Sequence, residues 1–335
     1  MKLLPALLSS LCLAALVACG DGGSSSGPEA PHDAAYAFGY ALENAPGPSA
    51  GCGGTSSLDA IRTVENGQHF RIAVEEESYR DFFATLPADY DSTKPYKILI
   101  ALQASDGTTE DLVHHSPSAE FPSPYYGQQA LDTAGDYIFV APITDHGLWA
   151  REAEDHRFVD EMISALFDNY CVDTTRVFVT GFDAGAQFAY SLAMDLQERL
   201  RAVVTYAITV YDVWLPDSGV ADPGRYDAKE LPVAWMNVHG MNDDRNDYHN
   251  VKETALPRIL RRNLKADADT VHLEGPREDF GGGTGHVCHD FKSVDERFPI
   301  KWCSWNGGHQ WTAYDDGDWQ NTWVPEVVHD FFERF

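Results

Sequence analysis

The chain has 335 residues, of which 52 are acidic and 24 are basic, so its formal net charge at pH 7 is −28. This charge argues against nucleic acids and anionic lipid surfaces as partners, because the Coulomb interaction with either would be repulsive. We interpret the excess of acidic residues as a solubility feature rather than as a site for a specific cationic ligand.

The first 48 residues carry the pattern of an export signal followed by a tether. Lys2 precedes an apolar run over residues 3–17 that is too short to span a bilayer. The run ends in Leu16-Val17-Ala18-Cys19, which resembles the lipobox of bacterial lipoproteins and implies acylation of Cys19. We therefore predict a signal peptide over residues 1–18 and an envelope lipoprotein, with an ordinary cleaved signal as the alternative. A flexible tether is expected over residues 19–48 and one domain over residues 49–335.

Four cysteines remain after the signal peptide and the anchor are set aside. They are Cys52, Cys171, Cys288 and Cys303, an even number that predicts two disulfides in an oxidising compartment. Four cysteines allow three pairings, and the sequence does not decide among them. The preferred pairing is Cys52 with Cys171 and Cys288 with Cys303. A metal site at His286, Cys288 and His289 is not favoured, because a fourth ligand is missing, and no cofactor is predicted.

Apolar and β-branched runs alternate with helical patterns along the domain, as a parallel sheet with crossover helices requires. Strands are predicted over residues 97–102, 137–142, 176–180, 202–210 and 233–238. Helices are predicted over residues 158–170, 184–194 and 325–335. The pattern predicts the α/β class with a single core.

A sharp strand-to-helix turn is predicted at Gly181-Phe182-Asp183-Ala184-Gly185. The flanking glycines permit the strained turn of a G-x-S-x-G nucleophile elbow, but Asp183 stands where that motif has serine. Two further motifs follow in the order nucleophile, acid, histidine that α/β-hydrolases use. Asp243 lies just after the strand predicted at residues 233–238, and His309 lies in Asn306-Gly307-Gly308-His309. The three side chains form a candidate catalytic set.

With these motifs the chain resembles the exported esterase group that includes type C feruloyl esterases and poly(hydroxybutyrate) depolymerases. Matching blocks span most of the domain, at Ser49-Ala-Gly-Cys-Gly, Leu86-Pro-Ala-Asp-Tyr, Tyr170-Cys-Val-Asp and Phe298-Pro-Ile-Lys-Trp-Cys. The resemblance implies an α/β-hydrolase fold, with a central, mostly parallel sheet and helices on both faces. It also implies that His309 is the general base and that Asp243 orients it.

The resemblance fails in part at the oxyanion hole. The family usually has His-Gly directly after the first long strand, where this chain has Gln103-Ala104. Ala184 would still supply the other N–H donor, and loss of one donor typically lowers the rate about 100 to 1,000-fold. The ordinary serine mechanism is not expected, because an ionised aspartate has no proton for His309 to remove.

Three functions remain open from the sequence. The first is a hydrolase of an ester-bearing polymer with an altered site. The second is a catalytically silent relative that binds a polysaccharide or phenolic ester. The third uses Asp183 as the nucleophile, as in haloalkane dehalogenases and epoxide hydrolases. In each case His309 would lie between two carboxylates, which should raise its pKa.

Five of the eight tryptophans lie near the His309 motif or shortly after it. Trp305 and Trp311 from this group, together with Trp149, are candidates to line a binding cleft for a sugar or phenolic ring, although packing in the core is the alternative for each. The predicted partners are an ester-bearing polysaccharide, a phenolic ester or a polyester, and the membrane only through the lipid anchor. A monomer is expected.

Overall fold

The computed structural model describes residues 45–75, 78–114, 124–145, 147–149, 153–210, 231–263, 285–292, 294–315 and 321–335. The predicted signal peptide, Cys19 and most of the predicted tether lie outside these ranges. Within them, no helix is both long enough and apolar enough to cross a membrane.

The described residues form one ten-stranded sheet in the order β1-β2-β3-β5-β4-β6-β7-β8-β10-β9. The pairings from β5 to β10 along this order are parallel, and the pairings at the two ends are antiparallel. The strands are β1 (Ala60–Val64), β2 (Gly67–Glu75), β3 (Ser78–Thr85), β4 (Tyr96–Leu102), β5 (Tyr137–Pro142), β6 (Val172–Phe182), β7 (Ala202–Tyr206), β8 (Ala234–Gly240), β9 (His286–Asp290) and β10 (Ile300–Trp305).

Helices cover both faces of the sheet. They are α1 (Thr109–Val113), α2 (Gln128–Leu131), α3 (Ala153–Asn169), α4 (Ala184–Asp195), α5 (Tyr248–Asn263) and α6 (Val324–Phe332). One apolar cluster joins the sheet to α3, α4 and α5, and a second joins the opposite face to α6. The predicted α/β-hydrolase architecture is confirmed.

Strand β4 shows why the sheet needs both layers. Ile98 and Ile100 pack into the first cluster, whereas Leu99 and Ala101 pack into the second. Because successive side chains of a strand point to opposite faces, a strand that is apolar at every position must be covered on both sides.

Several predicted boundaries differ from those observed. Strand β7 ends at Tyr206 rather than at residue 210, because Ala207 takes a positive φ of 46° and turns the chain out of the sheet. Strand β6 begins four residues before the predicted start, and α6 ends at Phe332 rather than at residue 335. The antiparallel strands β1, β2, β3 and β9, and strand β10 next to the edge strand β9, were not predicted.

Both preferred disulfides are present. Cys52 joins Cys171, across 119 residues of sequence, and Cys288 joins Cys303. The second bond connects directly opposed residues of the neighbouring strands β9 and β10. The metal alternative at Cys288 is thereby removed, because its sulfur is already covalently bound.

Candidate active site

Asp183 occupies the predicted elbow between β6 and α4. Its φ of 53° and ψ of −115° place it in a strained conformation, which is the feature that projects the central side chain of such a turn above the sheet. The turn also brings α4 close to the end of β4. A Cβ on Gly185 would lie 2.3 Å from the carbonyl oxygen of Leu102 and 2.5 Å from that of Gln103, so only glycine fits there.

Asp243 and His309 meet because the strands before them are neighbours. Strands β8 and β10 pair in parallel, so the loops that follow them leave the same edge of the sheet. The Nδ1 atom of His309 lies 2.9 Å from Oδ2 of Asp243 and 3.1 Å from Oδ1. His309 and Asp243 are 5% and 0% exposed, respectively.

The same histidine faces the elbow residue. The Nε2 atom of His309 lies 3.5 Å from Oδ1 of Asp183. The structure therefore brings the three predicted side chains into the order Asp183, His309, Asp243, with the imidazole between two carboxylates.

Three hydrogen bonds besides the His309 contact hold the carboxylate of Asp183. The backbone N–H of Ser105 donates to Oδ2 at 3.3 Å, and the hydroxyl of Ser105 donates to the same oxygen. The side-chain amide of Asn246 donates to Oδ1 at 3.1 Å. Burial alone would raise the pKa of Asp183, but the contact with His309 and the hydrogen bonds from Ser105 and Asn246 outweigh it and lower that pKa.

Asp243 is stabilised as an anion by its own loop. Its Oδ1 accepts the backbone N–H groups of Arg245 at 2.9 Å and Asn246 at 2.8 Å, and its Oδ2 lies 3.3 Å from Nε2 of the buried His239. Burial would raise the pKa of Asp243, but the hydrogen bonds, chiefly those from His239 and His309, lower it. The acid of the set is therefore ionised.

His309 responds to both carboxylates. Burial by itself would lower its pKa, but the hydrogen bonds and charges of Asp183 and Asp243 prevail and raise the pKa of the imidazole to about 9. The predicted direction of this shift is confirmed. At pH 7 the imidazole is therefore mostly protonated.

The loop after β4 contains the predicted pair Gln103-Ala104. Gln103 braces the loop, because its side-chain amide donates to the carbonyls of Gly107 and Gly147, each at 3.2 Å, and its side-chain oxygen accepts the hydroxyl of Thr109. The N–H that donates to the elbow carboxylate belongs to Ser105, one residue beyond the predicted pair Gln103-Ala104. Ala184, the other predicted donor, is the first residue of α4.

The three tryptophans predicted to line a cleft are buried. Trp149, Trp305 and Trp311 are 3%, 3% and 2% exposed. The indole N–H of Trp149 donates to the backbone carbonyl of Gln103 at 3.1 Å, and its ring stacks on Phe188. Their burial favours the alternative of packing in the core over a ligand-lining surface for all three rings.

Four residues of the site were missed by sequence reasoning. Ser105 and Asn246 contact Asp183, His239 contacts Asp243, and Arg245 bridges to Asp106 at 3.1 Å. Three of the four lie within Val238-His-Gly-Met-Asn-Asp-Asp-Arg-Asn. The density of polar residues directly after a buried strand is the signal that could have identified these three.

Comparisons with known proteins find similar sequences among feruloyl esterases. No family model matches the chain. Feruloyl esterase D of Neurospora crassa is 26% identical over 290 residues, which cover 86% of this chain and 91% of that protein. "Probable feruloyl esterase C" of Aspergillus terreus is 28% identical over 296 residues, which cover 88% of this chain and 94% of that protein.

Solved structures support the fold. The acetyl xylan esterase of Aspergillus awamori matches with a TM-score of 0.54 at 13% identity, covering 80% of this chain and 100% of that one. An esterase of Pyrococcus furiosus matches with a TM-score of 0.51 at 11% identity, covering 84% and 99%. The chain therefore has the fold of α/β-hydrolases and is similar in sequence to feruloyl esterases.

Proposed function

We propose that the protein hydrolyses an ester that joins a phenolic or other acyl group to a polysaccharide, or one within a polyester. The observation that carries this proposal is the hydrogen-bonded pair of Asp243 and His309, held beside a strained elbow at the carboxyl edge of the sheet. A histidine oriented by a buried carboxylate is the proton-transfer element of ester hydrolysis. The feruloyl esterase relatives support the substrate class.

Direct attack by Asp183, as in haloalkane dehalogenases, is less well supported. Its two carboxylate oxygens accept hydrogen bonds from Ser105 and Asn246 and face His309. Lone pairs engaged in hydrogen bonds are less available for attack, and a carboxylate with a lowered pKa is a weak nucleophile.

A second candidate is a silent relative that binds the same ligand without cleaving it. The observation in its favour is the charge state of the site, where a protonated His309 lies between two ionised carboxylates. A protonated imidazole cannot act as the general base for water.

Turnover of methyl ferulate and short aryl esters by the purified protein distinguishes the two candidates. The variants are His309→Ala and Asp183→Ser, with the exposed and remote Ser57→Ala as a matched control. Native turnover that disappears in His309→Ala supports the hydrolase. The binding protein would instead be supported by three results together. The native protein would show no turnover, it would be retained on feruloylated polysaccharide, and Asp183→Ser would gain turnover.

We also propose that the protein is exported and anchored to the bacterial envelope by a lipid on Cys19, with the domain acting as a monomer. The two disulfides fit an oxidising compartment. Metabolic labelling with an alkyne fatty acid should mark the native protein but not Cys19→Ala. On fractionation of the cells, Cys19→Ala should also be lost from the membrane fraction. Equal labelling of both forms would contradict the anchor.

A further inference from the structure

The loop after β4 places a hydroxyl against the elbow carboxylate. Ser105 donates its Oγ–H to Oδ2 of Asp183, and its backbone N–H donates to the same oxygen at 3.3 Å. This contact depends on the close approach of β4 to α4 that Gly185 allows. Ser105 is partly exposed, whereas the side chain of Asp183 is only 10% exposed.

We propose that Ser105 is the nucleophile of this esterase and that Asp183 is its general base. The inference rests on the hydrolytic function proposed above and supplies the attacking group that the elbow lacks. A serine hydroxyl needs a base in hydrogen-bond contact, and Asp183 is in that position. The lowered pKa of Asp183 weakens it both as a nucleophile and as a base, but the hydroxyl of Ser105 already donates to its Oδ2, so the proton needs no further approach.

The protons balance through the three side chains. Ser105 Oγ forms a bond to the acyl carbon while its proton passes to Oδ2 of Asp183. The bond from the acyl carbon to the alcohol oxygen then breaks, and the proton on Nε2 of His309 passes to the departing alkoxide. The carboxyl group of Asp183 then turns about its Cβ–Cγ bond and returns the proton to Nε2 of His309, which lies 3.5 Å from Oδ1 in the resting site. Both groups thereby regain their resting state. The raised pKa of His309 suits this role, because a protonated imidazole is ready to act as the acid.

Deacylation uses the same carboxylate. Water attacks the acyl carbon on Ser105 and gives one proton to Asp183, which passes it to Ser105 Oγ as the acid leaves. The oxyanion of each step would lie beside the start of α4, since Asp183 immediately precedes that helix. The first N–H groups of a helix have no partner within the helix and can stabilise such a charge.

A second hydroxyl, Ser191, takes part in a similar chain elsewhere. Its Oγ lies 2.7 Å from Nε2 of His156, and Nδ1 of His156 lies 2.9 Å from Asp195. Ser191 lies inside α4 and is only 3% exposed. A hydroxyl on a buried helical turn cannot reach an ester on a polymer, so Ser105 is the favoured nucleophile.

A fluorophosphonate probe that modifies activated serines tests the inference, with peptide mapping by mass spectrometry on the full chain. The forms compared are native, Ser105→Ala, Ser105→Cys, Asp183→Asn and the control Ser57→Ala. We expect the label on Ser105 in the native protein and in Ser57→Ala. It should be absent from Ser105→Ala and form at least about tenfold more slowly in Asp183→Asn. Ester turnover should fall at least about 100-fold in Ser105→Ala, and Ser105→Cys should react with iodoacetamide at that position.

The outcomes separate this inference from the proposed function. If the native protein turns over esters and Ser105→Ala does so equally well, the inference about Ser105 is overturned while the proposed hydrolytic function stands. Labelling of Ser105 without turnover of any ester would support a reactive hydroxyl and overturn the hydrolase. Labelling of Ser191 by the probe would also overturn the inference. So would an unlabelled Ser105 in the native protein under conditions in which the probe labels residue 183 of Asp183→Ser. Circular dichroism confirms that each variant is folded.

Discussion

The imidazole of His309 is the most strongly perturbed base of the site. Asp183 and Asp243 raise its pKa to about 9 although burial opposes them. Replacing Asp183 with Asn removes one charge, so the pKa of His309 should fall toward the ordinary value of about 6.5 while Asp243 still holds it above that value. NMR titration of the imidazole, assigned by comparison with His309→Gln, measures both values. An unchanged midpoint in Asp183→Asn would show that Asp183 does not face the ring in solution.

The substitution at residue 183 changes the task of each neighbour. In a serine esterase the histidine must be neutral to accept the hydroxyl proton, whereas here the second carboxylate keeps it charged. The same hydrogen bonds from Ser105 and Asn246 that stabilise Asp183 as an anion also reduce its reactivity. The chemistry of the site therefore depends on a neighbour of Asp183 that can supply or accept a proton.

The end of strand β4 and the start of helix α4 form one structural unit. A methyl group on Gly185 would overlap the carbonyl oxygens of Leu102 and Gln103, so Gly185→Ala should push these elements apart. We expect a loss of about 1–3 kcal/mol in the free energy of unfolding, together with a displaced Ser105.

The matched control for this change is Gly107→Ala in the same loop. A Cβ on Gly107 meets no atom within 4 Å, so the free energy of unfolding should change by less than about 0.5 kcal/mol. Urea unfolding of the two variants beside the native protein makes the comparison. Equal losses in both would contradict the tight contact at Gly185.

The two disulfides constrain the whole domain unequally. The Cys52–Cys171 bond closes a loop with a sequence separation of 119 residues, whereas Cys288–Cys303 closes one of 15. The chain-entropy relation gives roughly 4.9 kcal/mol for the first and about 3 kcal/mol for the second. The double variant Cys52→Ala/Cys171→Ala should therefore lower the melting temperature more than Cys288→Ala/Cys303→Ala. Calorimetry of the two variants tests the order.

Stability should also vary with pH in a direction that the site sets. The raised pKa of His309 stabilises the fold fully below pH 6.5, and this contribution is lost as the pH rises through about 9. The lowered pKa values of Asp183 and Asp243 act in the opposite direction, since their contribution is present above about pH 4 and is lost in acid.

We therefore expect the free energy of unfolding to fall by about 1–2 kcal/mol between pH 6.5 and 9 from His309, allowing for solvent screening. Urea unfolding at several pH values measures this decline. It should be smaller in His309→Gln, and an equal slope in that variant would assign the decline to other groups.

The sequence alone determined the class of fold, the elbow and the order of Asp183, Asp243 and His309. These follow from local patterns, namely apolar runs, flanking glycines and polar residues after strands. The preferred pairing of the cysteines was also confirmed, although the spacing itself did not select it.

Only the tertiary structure decided what surrounds the elbow. Ser105 and Asn246 are separated from Asp183 by 78 and 63 residues, and their contacts arise from the adjacency of parallel strands. Burial likewise moved Trp149, Trp305 and Trp311 from a predicted binding surface into the packing of the domain. A sequence states which residues follow a strand, but the order of strands in the sheet determines which side chains meet there and what charge they share.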